Sequence, residues 1–394
     1  MPVTTTNIEL TTEQQAAVRA IERWWRDPHG SQVFCVAGYA GTGKSTVVNH
    51  VIAELGVSRS RTAFLAYTGK AALVLQCKGL PARTIHSLIY GVEEDAAGKP
   101  RFTLRSDLPE SYDLLVVDEV SMVSDDLLKD LLTFGVPILA LGDPAQLPPV
   151  EGDSCGILDH PDAFLREIHR QAADNPILWA SMLARRGEPI PMGSHGEALH
   201  VVPYRQVKFG EVDLEAFDQI ICCTNKMRRQ LNSTIRERRG FSGTLPMVGE
   251  RLLSFRNVRE AVSSASFTPL VNGLQGTVSV APWNVDLEAE RGQLSLALSD
   301  QADDVFSGLT VDLCRFVHPG EDHPRSLPGN GRLAQFDFGY AITAHKSQGS
   351  EFPRVLVILA DIFAKDDTER RQLIYTAVTR ASAHLTLAVR ESRK

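Results

Sequence analysis

The stretch Gly38-Tyr39-Ala40-Gly41-Thr42-Gly43-Lys44-Ser45 follows the apolar run Val33-Phe34-Cys35-Val36-Ala37 and precedes a helix-compatible segment from Thr46 to Leu55. It satisfies the phosphate-binding pattern G-x-x-x-x-G-K-[ST] in full, in the strand, loop and helix order that gives the pattern its meaning. Gly38, Gly41 and Gly43, with Thr42 between them, let backbone amides turn inward around a phosphate, and the helix opening near Thr46 adds partial positive charge. Lys44 can reach the β/γ-phosphates and Ser45 can ligate Mg²⁺. These residues imply a nucleoside triphosphate site and say nothing yet about what the triphosphate is used for.

The chain has 394 residues, too many for one ordinary core, and its 43% hydrophobic content is that of a folded globular protein. No apolar run approaches the roughly 18 residues of a membrane span, and the start, MPVTTTNIEL, lacks a signal-peptide layout, so a cytosolic protein without membrane contact is expected. The six cysteines form no C-x-x-C pair and no zinc spacing, which reads as thiols buried in strands. A net charge of −7 excludes a strongly basic coat protein but not a nucleic-acid motor, which needs only a local basic groove.

Upstream, Leu10 to Val18 is polar at its start and then amphipathic, which predicts a capped helix beginning near Thr11 or Thr12. Gln14 on that helix carries a donor and an acceptor that can read two edges of adenine, the alternative being a solvated helical glutamine. Downstream, the strand Thr62–Ala66 leads into Tyr67-Thr68-Gly69-Lys70, and Ala82-Arg83-Thr84-Ile85-His86 follows. Ligands sit at the carboxyl ends of parallel strands, so Thr68, Lys70 and His86 are placed to touch a polymer, unless they are ordinary loop polar residues. Residues 91–108 break the α/β rhythm with Gly, Pro and charge around Phe102 and suit a protruding hairpin.

A buried strand, Leu114-Leu115-Val116-Val117, runs into Asp118-Glu119: one acid for the Mg²⁺ shell and one, Glu119, to orient or deprotonate water. The second acid favours hydrolysis over transfer to a small molecule. A fourth strand, Pro137–Leu141, delivers Gly142-Asp143-Pro144-Ala145-Gln146, with Gln146 a candidate γ-phosphate sensor. Short apolar runs at Asp218–Cys222, Arg354–Leu359 and His384–Val389 make a second parallel α/β sheet plausible.

In this order GYAGTGKS, AYTGKAA, TIHSL, DEVSM, GDPAQLPPV, LREIHRQ, CTNKMRRQLN, NGLQGTV, AITAHKSQGSEF and YTAVTRA resemble the motifs of superfamily 1 DNA helicases, most closely the RecD, Pif and phage Dda branch that moves 5′ to 3′. The resemblance covers nearly the whole chain. It implies an α/β fold of two RecA-like P-loop NTPase domains, with a hairpin insertion in the first and a small β-barrel insertion in the second. The expected boundaries are 1–152 for the first domain (hairpin 91–108), 153–242 with 334–394 for the second, and 243–333 for the barrel.

By the same resemblance ATP lies between the two domains, Arg170 and Arg380 match arginine-finger motifs, and Gly349 and Glu351 lie near the nucleotide. Thr224, Asn225, Thr343 and His345 join the DNA-facing set, and Phe102 is the candidate strand-separating wedge, its alternative role being to anchor the hairpin. The implied partners are single-stranded and forked duplex DNA, with single-strand-binding or replication and repair proteins as possible associates of a monomer in a bacterial or phage-infected cell. Tyr67 replaces the proline usual in the APTGKAA loop, and LPPV lacks the aromatic of the opposite-polarity branch. Nothing resembles the long N-terminal domain of cellular RecD subunits, which suggests a stand-alone or phage-type enzyme. A protein-displacing translocase and an ATP-regulated DNA-binding subunit of a nuclease complex are the readings left open.

Overall fold

The computed structural model describes residues 10–27, 29–94, 100–149, 152–167, 174–299, 301–320, 333–360 and 362–390. They form two compact units, one drawn from 1–67, 72–91 and 104–188, the other from 68–71, 92–103 and 189–394.

The first unit is built on the strands β1 (Val33–Gly38), β2 (Thr62–Ala66) and β3 (Ala82–Thr84) with β6 (Leu114–Asp118), β7 (Ile138–Gly142) and β8 (Ala163–Leu165). Between β3 and β6 in the chain lie β4 (Tyr90–Glu94) and β5 (Pro100–Leu104), which pair as a separate two-stranded sheet; this is the expected hairpin, but residues 92–103 group with the second unit and not with the first. The main sheet has the order β3-β2-β6-β7-β1-β8, and the pairings among its described residues are all parallel. β1 and β2 are buried along nearly their full length, as strands covered on both faces must be. One face is filled by Leu65, Leu115, Val117 and Ile138 against Ile85, Leu88, Leu127 and Leu131, residues of the helices Ile85–Ile89 and Asp125–Leu132.

Because β8 adds to β1 in parallel (Val36↔Ala163), the first unit runs on to residue 188 and does not stop at 152 as the motif spacing suggests. A three-residue edge strand carries no periodic signature, which is why its sequence does not announce it.

In the second unit β9 (Gly193–His195), β10 (Leu199–Pro203), β11 (Gln219–Cys222), β19 (Ala341–Thr343), β20 (Phe352–Ile358) and β21 (Ala381–Val389) form a sheet of order β19-β11-β20-β21-β10-β9, parallel except for β9. The helix Asn225–Arg238 packs Met227, Leu231 and Ile235 on Ile220, Cys222, Leu356 and Ile358. The strands β12 (Arg251–Ser254), β15 (Gln275–Asp286), β16 (Arg291–Leu298), β17 (Gln301–Asp312) and β18 (Ala334–Phe338) close a barrel around Leu252, Val278, Leu294, Leu296, Phe306 and Phe336. A small pair, β13 (Val258–Val262) and β14 (Pro269–Leu270), accompanies it.

Closure needs β18 against β12, so the barrel extends past the expected limit of 333. β17 ends at Asp312, and the chain then turns into the short helix Cys314–Val317. Among the described residues no helix is long and apolar enough to cross a membrane.

Candidate nucleotide site and nucleic-acid groove

The register aligns the strand ends that carry the chemistry. Ala37 lies beside Gly142, Gly38 beside Leu165, Ala66 beside Asp118 and Thr84 beside Ala66. The loops that follow β1, β7, β6, β2 and β3 therefore leave one edge of one parallel sheet, where such sheets bind ligands.

Gly41 and Gly43 adopt φ of 78° and 79°, a left-handed backbone that other residues enter only with strain. A Cβ at Gly43 would stand 2.4 Å from Gln14 Nε2, and one at Gly38 would stand 2.7 Å from Thr42 Oγ1. The loop is closed from inside by the buried Thr42, whose hydroxyl donates to Tyr39 O at 2.8 Å. Lys44 opens the helix Lys44–Glu54 and its Nζ donates to Gly38 O at 2.6 Å and Tyr39 O at 3.1 Å, so the ammonium folds over the cradle. Ser45 is exposed, and Thr46 follows it on the same helical turn.

The helix Thr12–Arg26 begins where the sequence predicts, with Thr11 as N-cap in a complete capping box. Gln14 is its third residue and is buried: its Oε1 accepts from Thr11 N–H at 3.0 Å and its Nε2 donates to Thr42 O at 3.0 Å. The side chain proposed for adenine thus also splices the first helix to the phosphate loop, which still leaves one amide hydrogen and one lone pair for a base.

Asp118 closes β6, and its Oδ1 accepts from Glu119 N–H at 2.9 Å. Burial raises its pKa, while that bond and the Lys44 charge oppose the rise. A carboxylate oxygen of this kind is a ligand suited to a hard divalent cation. Glu119 sits at φ 53°, ψ 44°, a non-glycine left-handed turn into the short helix Val120–Met122. Such strain, worth about 1–3 kcal/mol, persists only where the surroundings over-determine it, and it clusters at functional sites.

After β7 the buried Asp143 accepts from Ala145 N–H at 3.0 Å through Oδ1, while its carbonyl accepts from Gln146 N–H at 3.1 Å. This Asp-Pro turn presents Gln146, whose Oε1 is enclosed with no hydrogen-bond partner among the described residues. Asp143 holds this turn, and Asp before Pro at a strand end is the local signal for it in the sequence.

Thr68 caps the helix Gly69–Cys77 by accepting from Ala71 N–H, and Lys70 lies in its first turn. Tyr67, at the expected proline position, meets the His86 ring edge-on at 5.9 Å, and Tyr90 flanks the same imidazole at 5.6 Å. One edge of His86 stays exposed, yet this crowding and the accompanying loss of water lower its pKa. Burial likewise lowers that of His345, with Glu369 opposing. Neutral imidazoles can hydrogen-bond a phosphate or sugar but contribute no net charge.

In the second unit Thr343 ends β19 and Thr224 follows β11, and both cap helices, accepting from Lys346 N–H at 3.4 Å and Met227 N–H at 3.2 Å. Each hydroxyl keeps its own hydrogen to donate, and Asn225 beside Thr224 is exposed. Gly349 has φ 68° and Glu351 is exposed. Arg380 is buried and donates to Thr376 O at 3.0 Å, Ser350 O at 3.2 Å and Thr379 Oγ1 at 3.1 Å, with donors left over. Phe102, on β5, is 60% exposed. Arg170 lies outside the described residues.

Two family matches cover the chain in order: an AAA domain over residues 9–202 and a UvrD-like helicase C-terminal domain over residues 338–388. The chain is 29% identical over 368 residues to the ATP-dependent RecD2 DNA helicase of Deinococcus radiodurans, covering 89% of this chain and 46% of that one. It is 26% identical over 411 residues to the RecBCD enzyme subunit RecD of Mycolicibacterium smegmatis, covering 89% and 67%. The chain thus spans about half the length of the first of these relatives and about two thirds of the second. The fold is that of the Bacteroides Pif1 helicase solved with ADP-AlF3 and single-stranded DNA, at TM-score 0.54, 19% identity and coverage of 96% of this chain and 92% of that one. Two α/β sheets, a phosphate loop at the edge of the first, a barrel within the second unit and these matches in sequence order agree: over most of its length the chain is similar to RecD-like DNA helicases, with an AAA domain followed by a UvrD-like helicase C-terminal domain.

Proposed function

We propose that this chain is an ATP-dependent DNA helicase that translocates 5′ to 3′ on single-stranded DNA. The observation that carries the reading is the alignment of Lys44, Asp118, Glu119 and Gln146 behind adjacent parallel strand ends. RecD2 and RecD, the relatives whose names denote a DNA helicase and a RecBCD subunit, support it.

In this reading the amides of Gly41, Thr42 and Gly43 hold the phosphates, Lys44 leaves its two loop carbonyls for phosphate oxygens, and Gln14 meets the base. Ser45 and Asp118 would hold Mg²⁺, which when bound neutralises charge on the phosphates. Glu119 takes the proton of the attacking water and Gln146 senses the γ-phosphate. Arg170 and Arg380 stabilise charge on the transferring phosphoryl, an effect worth about 10³ to 10⁵ in rate. Gly349 and Glu351 lie by the nucleotide. Thr68, Lys70, His86, Thr224, Asn225, Thr343 and His345 grip the sugar-phosphate backbone.

Phosphate release measured with and without single-stranded DNA tests the motor, with strong stimulation expected. Equal rates in both conditions would remove it. Opening of a forked duplex then separates helicase from simple translocase. For the wedge, an exposed aromatic on the hairpin can stack on the newly opened base pair, worth about 1–3 kcal/mol per base. Phe102→Ala should therefore cut unwinding several-fold and leave DNA-stimulated ATP turnover near wild type. A parallel fall of both activities, or of neither, would move the wedge elsewhere.

A further inference from the structure

Phe255, half-buried and following β12, donates its backbone N–H to Gln335 O at 2.8 Å, which ties it to the barrel. Over its ring stand three cations: the Arg315 guanidinium carbon at 4.3 Å, Lys346 Nζ at 4.7 Å and the Arg228 guanidinium carbon at 5.7 Å. Such clustering of like charge around one aromatic ring needs an explanation, because the quadrupole attracts each cation while the cations repel one another.

Asp337 answers for one of them, accepting from Arg228 Nη1 at 2.7 Å. The nearby carboxylate of Asp312 is engaged by Gln335 Nε2 at 2.8 Å and by the backbone N–H of Cys314 at 3.0 Å. Lys346 Nζ donates to the neutral amide oxygen of Asn272 at 3.1 Å. Arg315 differs from both of its neighbours: its Nε is enclosed and has no hydrogen-bond partner among the described residues. Burial lowers its pKa and the Arg228 charge acts in the same direction, while the Asp337 and Asp312 carboxylates oppose the fall without accepting a bond from this Nε. An enclosed charged donor with no acceptor is unfavourable by itself, and an anionic oxygen brought to it relieves that.

The cluster also touches the expected DNA track at two points. Lys346 lies on the helix Ala344–Ser347 that Thr343 caps, and Arg228 Nε donates to Asn225 Oδ1 at 3.3 Å. A guanidinium stacked on an aromatic ring keeps its planar fork of donors in a fixed orientation, the geometry that suits a phosphate. We propose that Arg315 and Lys346, held against the Phe255 ring, bind a backbone phosphate of single-stranded DNA and carry its path from the Thr343–Lys346 segment onto the barrel. This rests on the helicase reading above and extends it from Lys346, within the AITAHKSQGSEF segment, to Arg315, which lies outside the helicase motifs.

The test is the salt dependence of binding to an oligothymidylate, followed by fluorescence anisotropy across a sodium chloride series, with thermal melting of each variant beside it. Removing one phosphate contact on a single strand reduces the slope of log K against log salt by about 0.7. Arg315→Gln should show that reduction together with several-fold weaker binding, while Arg315→Lys, which keeps the charge, should hold the slope near wild type. Should Arg315→Gln melt too low to assay, Lys346→Gln carries the same slope test. Wild-type slope and affinity in the Gln variants, with wild-type protein binding normally, overturn this site alone. Wild-type protein that binds the oligonucleotide without salt dependence removes the helicase reading and this site together.

Discussion

Lys44→Ala is expected to abolish ATP turnover, by about 10²-fold or more, the scale seen when one preorganised donor to developing charge is removed. The ammonium now bridges Gly38 O and Tyr39 O across the mouth of the loop, so it is already within the cradle and needs only to exchange two neutral carbonyls for phosphate oxygens. Charge-assisted bonds to phosphate are stronger than those to carbonyls, so the exchange is downhill. Alanine removes both the attraction and the two loop bonds, each worth about 0.5–1.5 kcal/mol net. The fold should survive, because the left-handed Gly41 and Gly43, the buried Thr42 and the Gln14 splice hold the loop independently of Lys44. Phosphate release, binding of a fluorescent nucleotide and thermal melting check this. Turnover within a few-fold of wild type would mean that the loop does not hold the reacting phosphates.

Glu119→Gln should stop hydrolysis while leaving nucleotide affinity close to wild type, since the amide keeps the shape of the side chain and loses only its ability to take a proton. A general base contributes about 10² to 10⁴ in rate. A companion substitution uses the backbone: Glu119 holds φ 53°, so Glu119→Gly relieves strain of about 1–3 kcal/mol while deleting the same carboxylate. Turnover should be lost in both variants, and the melting temperature of the glycine variant should not fall. A glycine variant that melts well below wild type would make Glu119 a structural residue, and a glutamine variant that still hydrolyses would transfer the base to another group.

The local parts of this molecule were legible in the amino-acid sequence because they depend on short-range physics. The P-loop pattern, the Thr11 cap, the strand Thr62–Ala66 and the buried run ending in Asp118-Glu119 each follow from neighbours within a few residues, and all appear where the pattern puts them. The position of β1 between β7 and the edge strand β8 follows from no such pattern, nor does the closure of the barrel by β18. Strand order and closure are settled by pairings between segments far apart in the chain, and a three-residue strand such as β8 owes its state to its partner and not to its composition. The same holds for side chains with two readings. The sequence offers Gln14 as a base reader, and the structure makes it the splice between helix and loop, because Thr42 O is brought to its amide only by folding. Asp143 carries only a turn signal in the sequence, because an Asx turn matters to the site only once its strand ends beside the phosphate loop. Sequence determined which chemical groups are present and in what local form; tertiary structure alone decided which of them share an edge.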